Sequence, residues 1–332
     1  MTPTRSRKGL ALAALAAATM LTLSACSEGG APDTDSNGGG GGGAGDNSGY
    51  KIAMITHAPP GDAFWDKIQS GAKQSASNVG ADFTYAGDGD ASKQAQLIQT
   101  AVDSKVDGIA VSLASPDALK AAIQGARTAG IPVVAFNAGL DQYKEIGAQM
   151  YFGSDEALAG QAAGERIATA GGQKALCVIQ AAGVISLETR CAGVKKGVPN
   201  TETIQVNGTD DAAVTSSLQA KLTEDKTIDY IVTLGAQQAV DALKAREQAG
   251  SSAKVVTFDL NAETAQNIKD GKIEFSVDQQ PYVQGYMSVQ SLYLYKKNGN
   301  DIGGGGPVLT GPSFVDSTNI DAILPFAQNN TR

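Results

Sequence analysis

One histidine in 332 residues, His57, excludes any metal centre built from several imidazoles. Three cysteines without a C-x-x-C spacing give no basis for a dithiol redox catalyst. Aromatic residues make up only 5%, and positive charge is scarce, with 26 Lys plus Arg against 34 Asp plus Glu. Three of those cations, Arg5, Arg7 and Lys8, fall in a segment expected to be removed, so the remainder is more acidic still. Such a body repels a phosphate backbone and shows no basic patch, which excludes nucleic acid as a partner. No G-x-G-x-x-G follows the first expected strand, where His57-Ala58-Pro59-Pro60-Gly61 stands instead, so a dinucleotide enzyme is not expected. A lone histidine assembles no Ser-His-Asp set, and neither catalysis nor a cofactor is expected. What is present, 42% hydrophobic and 18% charged residues, suits a globular α/β protein of one large or two medium domains.

Long apolar runs are also missing. The longest, Leu10 to Leu23, is too short to span a bilayer comfortably and follows a basic start, so residues 1–25 read as a signal peptide. The run ends in Leu23-Ser24-Ala25-Cys26, which resembles the lipobox of bacterial lipoproteins. That resemblance implies cleavage before Cys26, a diacylglyceryl group on its sulfur, and anchoring to the outer face of the cell membrane at about 0.8 kcal/mol per buried methylene. Residues 26–49, with six consecutive glycines from Gly38 to Gly43, cannot fold alone and form a tether reaching about 25 to 30 Å. Outside the cytoplasm Cys177 and Cys191 are expected to form a disulfide between a strand and a helix, worth about 2 to 3 kcal/mol; two buried free thiols are the alternative.

From Tyr50 onward, apolar runs alternate with amphipathic stretches, a rhythm of parallel strands and crossover helices. Ten strands are expected: Lys51–Thr56, Asp82–Ala86, Gly108–Leu113, Val133–Asn137, Met150–Gly153, Lys174–Gln180, Thr203–Asn207, Tyr230–Leu234, Val255–Asp259 and Ile273–Asp278. Ten exceed what one compact sheet usually carries. Two units match internally: AIQGARTAGIPVVAFN ends at Asn137 and LKAREQAGSSAKVVTFD ends at Asp259. Each is a helix, an Ala-Gly stop and a strand ending V-V-x-F before Asn or Asp, which suggests two copies of one lobe.

Ligands of open parallel sheets lie beyond the carboxyl ends of the strands, where this chain places its polar residues. Two such edges facing one another would form a cleft able to close on a small molecule. A sugar needs carboxylates and amides for its hydroxyls and aromatic rings for its C–H faces. Asp62, Phe64 and Trp65 supply both, although Asp62 could instead cap the following helix and a ring could be core. Asn137 and Asp259 are likewise candidates for ligand or for turn caps, and His57 is read as a satisfied loop histidine. Asp88-Gly89-Asp90 begins like a calcium loop but lacks the remaining ligand spacing, so a loop and helix cap are expected.

The segment from Thr56 to Gly71, the strand ends PVVAFN and VVTFD, the crossing YFGSDE with the helix after it, and DQQPYVQGY from Asp278 to Tyr286 resemble the type I sugar-binding proteins of bacterial ABC importers, the ribose and galactose group. The resemblance covers Tyr50 to Thr318. It implies two Rossmann-like lobes, 50–153 plus 280–310 and 154–279 plus 311–332, joined by a three-segment hinge near Ser154, Gln279 and Gly311. It further implies ligand contacts from Asp62, Phe64, Trp65, Asn137, Asp259 with Phe258 beside it, Gln279, and more loosely Asn207 and Asp210. Three departures bear on the ligand. Ala138 stands where ribose-type members carry Arg, Glu188 beside Arg190 replaces a second Arg, and Gly235 replaces a polar residue. Two lost guanidinium forks disfavour ribose, and an acidic cleft of Asp62, Glu188 and Asp259 favours a neutral monosaccharide or polyol. The expected function is that of a monomeric solute-binding lipoprotein delivering such a ligand to an ABC permease. The alternative is an extracellular receptor that reports a sugar or signal molecule to a membrane sensor.

Overall fold

The computed structural model describes residues 49–59 and 62–332. The expected signal segment, Cys26, the tether as far as residue 48, Pro60 and Gly61 lie outside the described residues.

The first half builds a sheet from β1 (Lys51–Thr56), β2 (Asp82–Gly87), β3 (Gly108–Ser112), β4 (Val133–Asn137) and β5 (Met150–Ser154), connected through α1 (Phe64–Val79), α2 (Ala91–Asp103) and α3 (Pro116–Thr128). The chain then leaves for α4 (Glu156–Thr169) and a second sheet. This contains β6 (Ala175–Ile179), β7 (Thr201–Gln205), β8 (Tyr230–Thr233), β9 (Lys254–Phe258) and β10 (Ile273–Asp278), alternating with α5 (Ile185–Gly197), α6 (Asp211–Glu224), α7 (Ala236–Gln248) and α8 (Ala262–Lys269). It returns through α9 (Pro281–Asn298) to β11 (Val308–Gly311) on the first sheet, and crosses once more to β12 (Ser313–Asp316) and α10 (Ile320–Gln328).

The two sheets have the same strand order, β11-β5-β4-β3-β1-β2 and β12-β10-β9-β8-β6-β7. All neighbours are parallel except β12, which runs antiparallel to β10. β4 and β9, which end the two matching sequence units, therefore hold equivalent places. All ten expected strands are present, with ends shifted by no more than two residues. β11 and β12 are additions. They have four residues each, follow the glycine run 303–306 and meet at a cis Gly311–Pro312 bond, so neither carries a readable alternation.

Helices on both faces bury the central strands completely, which explains their continuous apolar runs, whereas the edge strand β2 is only half covered. Alternation along β1 sends Ala53 and Ile55 into the core under α2 and α3, and Ile52 and Met54 into the core under α1 and α9. The disulfide between Cys177 and Cys191 is formed, with Cα atoms 5.8 Å apart, and binds β6 to α5. Helix starts are fixed by Asp90, Asp155, Asp210 and Asn261, each accepting from a backbone N–H one turn in. The Asp88-Gly89-Asp90 segment is thus a capping loop, and among the described residues no cluster of His, Cys, Asp and Glu could hold a metal ion. Nor is any described helix long and apolar enough to cross a membrane.

Two helix pairs approach at backbone distance. A Cβ on Gly71 of α1 would lie 2.0 Å from the Tyr282 carbonyl oxygen, and one on Gly285 of α9 would lie 1.9 Å from that of Ile68. Around the second sheet, Gly160 of α4 meets the Arg190 backbone in the same way. These contacts set α1 and α5, two of the helices that bring side chains into the cleft between the sheets.

Candidate functional site

The carboxyl ends of β1, β3 and β4 face those of β6, β7, β8 and β9 across a cleft of about 980 Å³. Gln279, on the segment leaving β10, lies at its floor. Of the residues expected from the sequence, Asp62, Phe64, Trp65, Asn137, Asn207, Asp210, Asp259 and Gln279 all line this cleft. Glu188 does not. It is exposed on α5, because the cleft-facing positions of that helix are the adjacent Ser186 and Leu187 and, four and three residues on, Arg190, and Glu188 falls between them. The expected acidic cleft is corrected accordingly: the group that α5 supplies is a guanidinium.

Asn137 and Asp259 both adopt left-handed backbone, with φ of 67° and 63°, a conformation that short polar side chains tolerate best. Neither caps a helix. Asn137 Nδ2 donates to Gln279 Oε1 at 3.1 Å, and Gln279 Nε2 donates to Asp259 Oδ1 at 2.9 Å. Gln279 is itself held by Gln284, whose Nε2 donates to its side-chain oxygen at 2.9 Å and its carbonyl at 3.1 Å. Thr310 Oγ1 also donates to that carbonyl, at 2.7 Å. Burial pushes the Asp259 carboxyl up to about pKa 7, against the opposing charge of Arg190 and the Gln279 hydrogen bond.

Arg190 is 3% exposed and grips Glu156 with a bidentate fork, Nη2 to Oε1 at 3.0 Å, while Nη1 stands 3.9 Å from Asp259 Oδ2. The guanidinium also stacks over Phe258 at 4.7 Å. On the opposite wall Trp65 is 5% exposed, packed edge-on between His57 at 4.7 Å and the half-buried Phe64 at 5.3 Å. His57 is satisfied, as expected: its Nδ1 and its backbone N–H both meet Ser112 Oγ, at 2.7 and 2.9 Å. Burial lowers its pKa to about 4, so the ring is neutral. Asp62 accepts from the Phe64 N–H at 2.9 Å, so its turn-bonding role and its place at the cleft coexist. Asn207 accepts from Thr209 within its own loop, and Asp210 caps α6.

Four cleft residues escape a reading of the sequence. Gln180 directly follows β6, and its Oε1 is buried without a hydrogen-bond partner among the described residues. Its strand-end position was the available signal. Gly235 leaves room for that amide and for Gln238, since a Cβ there would meet Gln238 Oε1 at 2.5 Å and Gln180 Nε2 at 3.0 Å. Two neighbouring amides thus occupy the space beside Gly235. Arg190 and Lys67 complete the set, both buried at 3% exposure on helices where a cation ordinarily reads as surface.

Residues 52–300 match the periplasmic binding protein domain. The chain belongs to the periplasmic binding protein family. Within it, the chain is of the type I sugar-binding class of bacterial ABC importers that the sequence resembles. The crystal structure of a carbohydrate transporter from Acidothermus cellulolyticus 11B in complex with myo-inositol is similar over 85% of this chain and 99% of that one, with 50% identity and a TM-score of 0.84. A solute-binding protein from Burkholderia graminis C4D1M in complex with D-arabinose covers 83% of this chain and 97% of its own, at 26% identity and a TM-score of 0.73. Among curated proteins, the xylose/arabinose-binding protein XylF of Sulfolobus acidocaldarius is 28% identical over 300 residues, 83% of this chain and 73% of that protein.

Proposed function

We propose that this protein is a solute-binding lipoprotein of an ABC-type importer. It holds a neutral monosaccharide or cyclic polyol between two lobes that close over it and delivers the ligand to a permease, without catalysis. The observation that carries the reading is the cleft itself: hydrogen-bonding side chains from both sheets converge with an aromatic wall on one cleft, which lobes closing over a small polyhydroxylated ring would narrow around it. The half-identical relative solved with myo-inositol favours a cyclitol within that class.

Lobe one comprises residues 50–153 and 280–310, lobe two residues 154–279 and 311–332, and the crossings at Ser154, Gln279 and Gly311 form the hinge. Phe64 and Trp65 pack on the C–H faces of the ring. Asp62, Asn137, Asp259 and Gln279 take its hydroxyls, joined by Gln180 and, at the second lobe's rim, Asn207 and Asp210. With Arg190 neutralised by Glu156, Lys67 is the one cation without an ion-pair partner among the described residues lining the cleft, so a phosphate or sugar acid would meet no pair of free cations. Cys26 carries the lipid that keeps the protein on the outer face of the membrane.

The test is a thermal-shift and calorimetric screen with myo-inositol, D-ribose, D-xylose, D-arabinose, D-galactose and D-glucosamine. A ligand at 100 times its Kd adds about 2.7 kcal/mol of stability. A shift with a neutral cyclitol or sugar supports the assignment, whereas a response only to amino acids, phosphates or sugar acids overturns it.

A further inference from the structure

The two buried cations of the cleft are treated differently by the fold. Arg190 has its charge answered by Glu156 in a bidentate pair. Lys67, near the start of α1 and one turn beyond Phe64, is just as buried, lines the cleft, and has neither a hydrogen bond nor an ion pair among the described residues. Its position is set by packing, because α1 is held against α9 at backbone contact through Gly71, four residues further on. The carboxylates that bear on its charge are Asp259 first, then Asp62, Asp278 and Asp66. Asp278 is engaged elsewhere, by Arg332 and the Gln280 N–H, and Asp62 by the Phe64 N–H. Asp259 has one oxygen bonded to Gln279 and the other 3.9 Å from Arg190.

An unpartnered ammonium in a buried site is costly, and burial outweighs the pull of those carboxylates, lowering its pKa. A fold that keeps such a group aimed into a ligand cleft is satisfied when the ligand arrives. An ammonium has three donors and no acceptor, and a carboxylate only accepts. Between them fits a group that does both, which is a hydroxyl.

We propose that Lys67 is a specificity-determining residue: its ammonium donates to one hydroxyl of the bound ring, and that hydroxyl passes its own proton bond to Asp259. A single ligand oxygen is then read from α1 on one sheet and from the end of β9 on the other. This rests on the proposed function, and it selects ligands that carry a free hydroxyl at that position over deoxy or methylated analogues.

The experiment compares wild type, Lys67→Met and Lys67→Arg by calorimetry with myo-inositol, D-ribose, D-xylose and D-galactose, together with melts of the ligand-free proteins. Lys67→Met is expected to bind about 10- to 100-fold more weakly, with Lys67→Arg recovering part of the loss, because hydrogen bonds from charged donors are of that strength. The ligand-free Lys67→Met protein should melt at or above the wild-type temperature, since an uncompensated buried charge has been removed. Unchanged affinity in Lys67→Met overturns the assignment, and so does a lower ligand-free melting temperature, which marks a structural lysine. Wild type that binds none of the four and responds in the wider screen only to amino acids, phosphates or sugar acids overturns the proposed function, and the Lys67 role with it.

Discussion

Asn137 and Asp259 stand at the ends of equivalent strands in two different sheets, share the same left-handed backbone, and are joined through the two ends of one amide, that of Gln279. The oxygen of Gln279 takes the Asn137 amide and its nitrogen serves the Asp259 carboxyl, so the fit of Gln is chemical: an amide carries an acceptor at one end of its plane and donors at the other. Because Gln279 lies on a segment crossing between the sheets, this link spaces the two strand ends that face the cleft.

Replacing Gln279 by Leu takes a hydrogen bond from each of two buried polar groups, leaving the Asn137 amide only its 3.4 Å bond to Gln284 Oε1 and Asp259 Oδ1 with none. A loss of about 2 to 3 kcal/mol in denaturant unfolding is expected, with weaker ligand binding by calorimetry. Gln279→Glu should bind more weakly than wild type at pH 8, since a second carboxylate then faces Asp259. Wild-type stability and affinity in Gln279→Leu would show the link to be incidental.

The Asp259 carboxyl gives a pH signature. Its folded pKa of about 7 exceeds the ordinary 3.8, so between these values the folded state holds a proton that the unfolded chain has released. Stability contributed by this group is therefore greatest below pH 4 and falls as pH rises towards 7. Asp259→Asn imitates the protonated form. It should be more stable than wild type at pH 8, with the difference closing near pH 4, while ligand affinity drops. Melting curves of both proteins across that range test this, and a constant offset would refute the pH-linked part.

The contrast between what could be read early and what could not has a physical basis. Strand ends are visible in a sequence because buried parallel strands are continuous apolar runs that stop at a polar residue, which is how Asn137 and Asp259 were legible. The internal match between their units foreshadowed the shared strand order. Helix-borne site residues are harder, since a turn of α5 offers Glu188 and Arg190 two positions apart and only the packing of α5 on α4, through Gly160, decides which one faces inward. Lys67 had no signal at all: a lysine in the first turns of an amphipathic helix is ordinarily solvated, and the helix that carries it is set by contact with α9, more than 200 residues away. β11 and β12 failed for a different reason, being too short to show a period.

Cys177 and Cys191 close a 14-residue span between β6 and α5, and Arg190 is the neighbour of the second cysteine. Cys177→Ser with Cys191→Ser, or reduction in solution, should cost about 3 kcal/mol in unfolding free energy. Loosening α5 also frees the guanidinium from its set position between Glu156 and Asp259, so affinity should fall together with stability. If stability drops while binding is untouched, the disulfide serves the lobe and not the site.

Gly71 offers the sharpest test of how packing positions chemistry. A methyl group there would meet the Tyr282 carbonyl at 2.0 Å, a backbone atom that cannot rotate away, so α1 and α9 must separate. Gly71→Ala is expected to lose about 1 to 3 kcal/mol, and to weaken ligand binding because Phe64, Trp65 and Lys67 ride on the displaced helix. Gly125, exposed on α3 with no atom within 4 Å of an added Cβ, is the matched control. There the same substitution should stabilise by about 0.5 to 1 kcal/mol through helix propensity alone, leaving affinity unchanged. Opposite signs for one chemical change at two helical glycines would separate the contact from the residue type. Equal effects would mean that the approach of α1 to α9 does not hold the cleft wall in place.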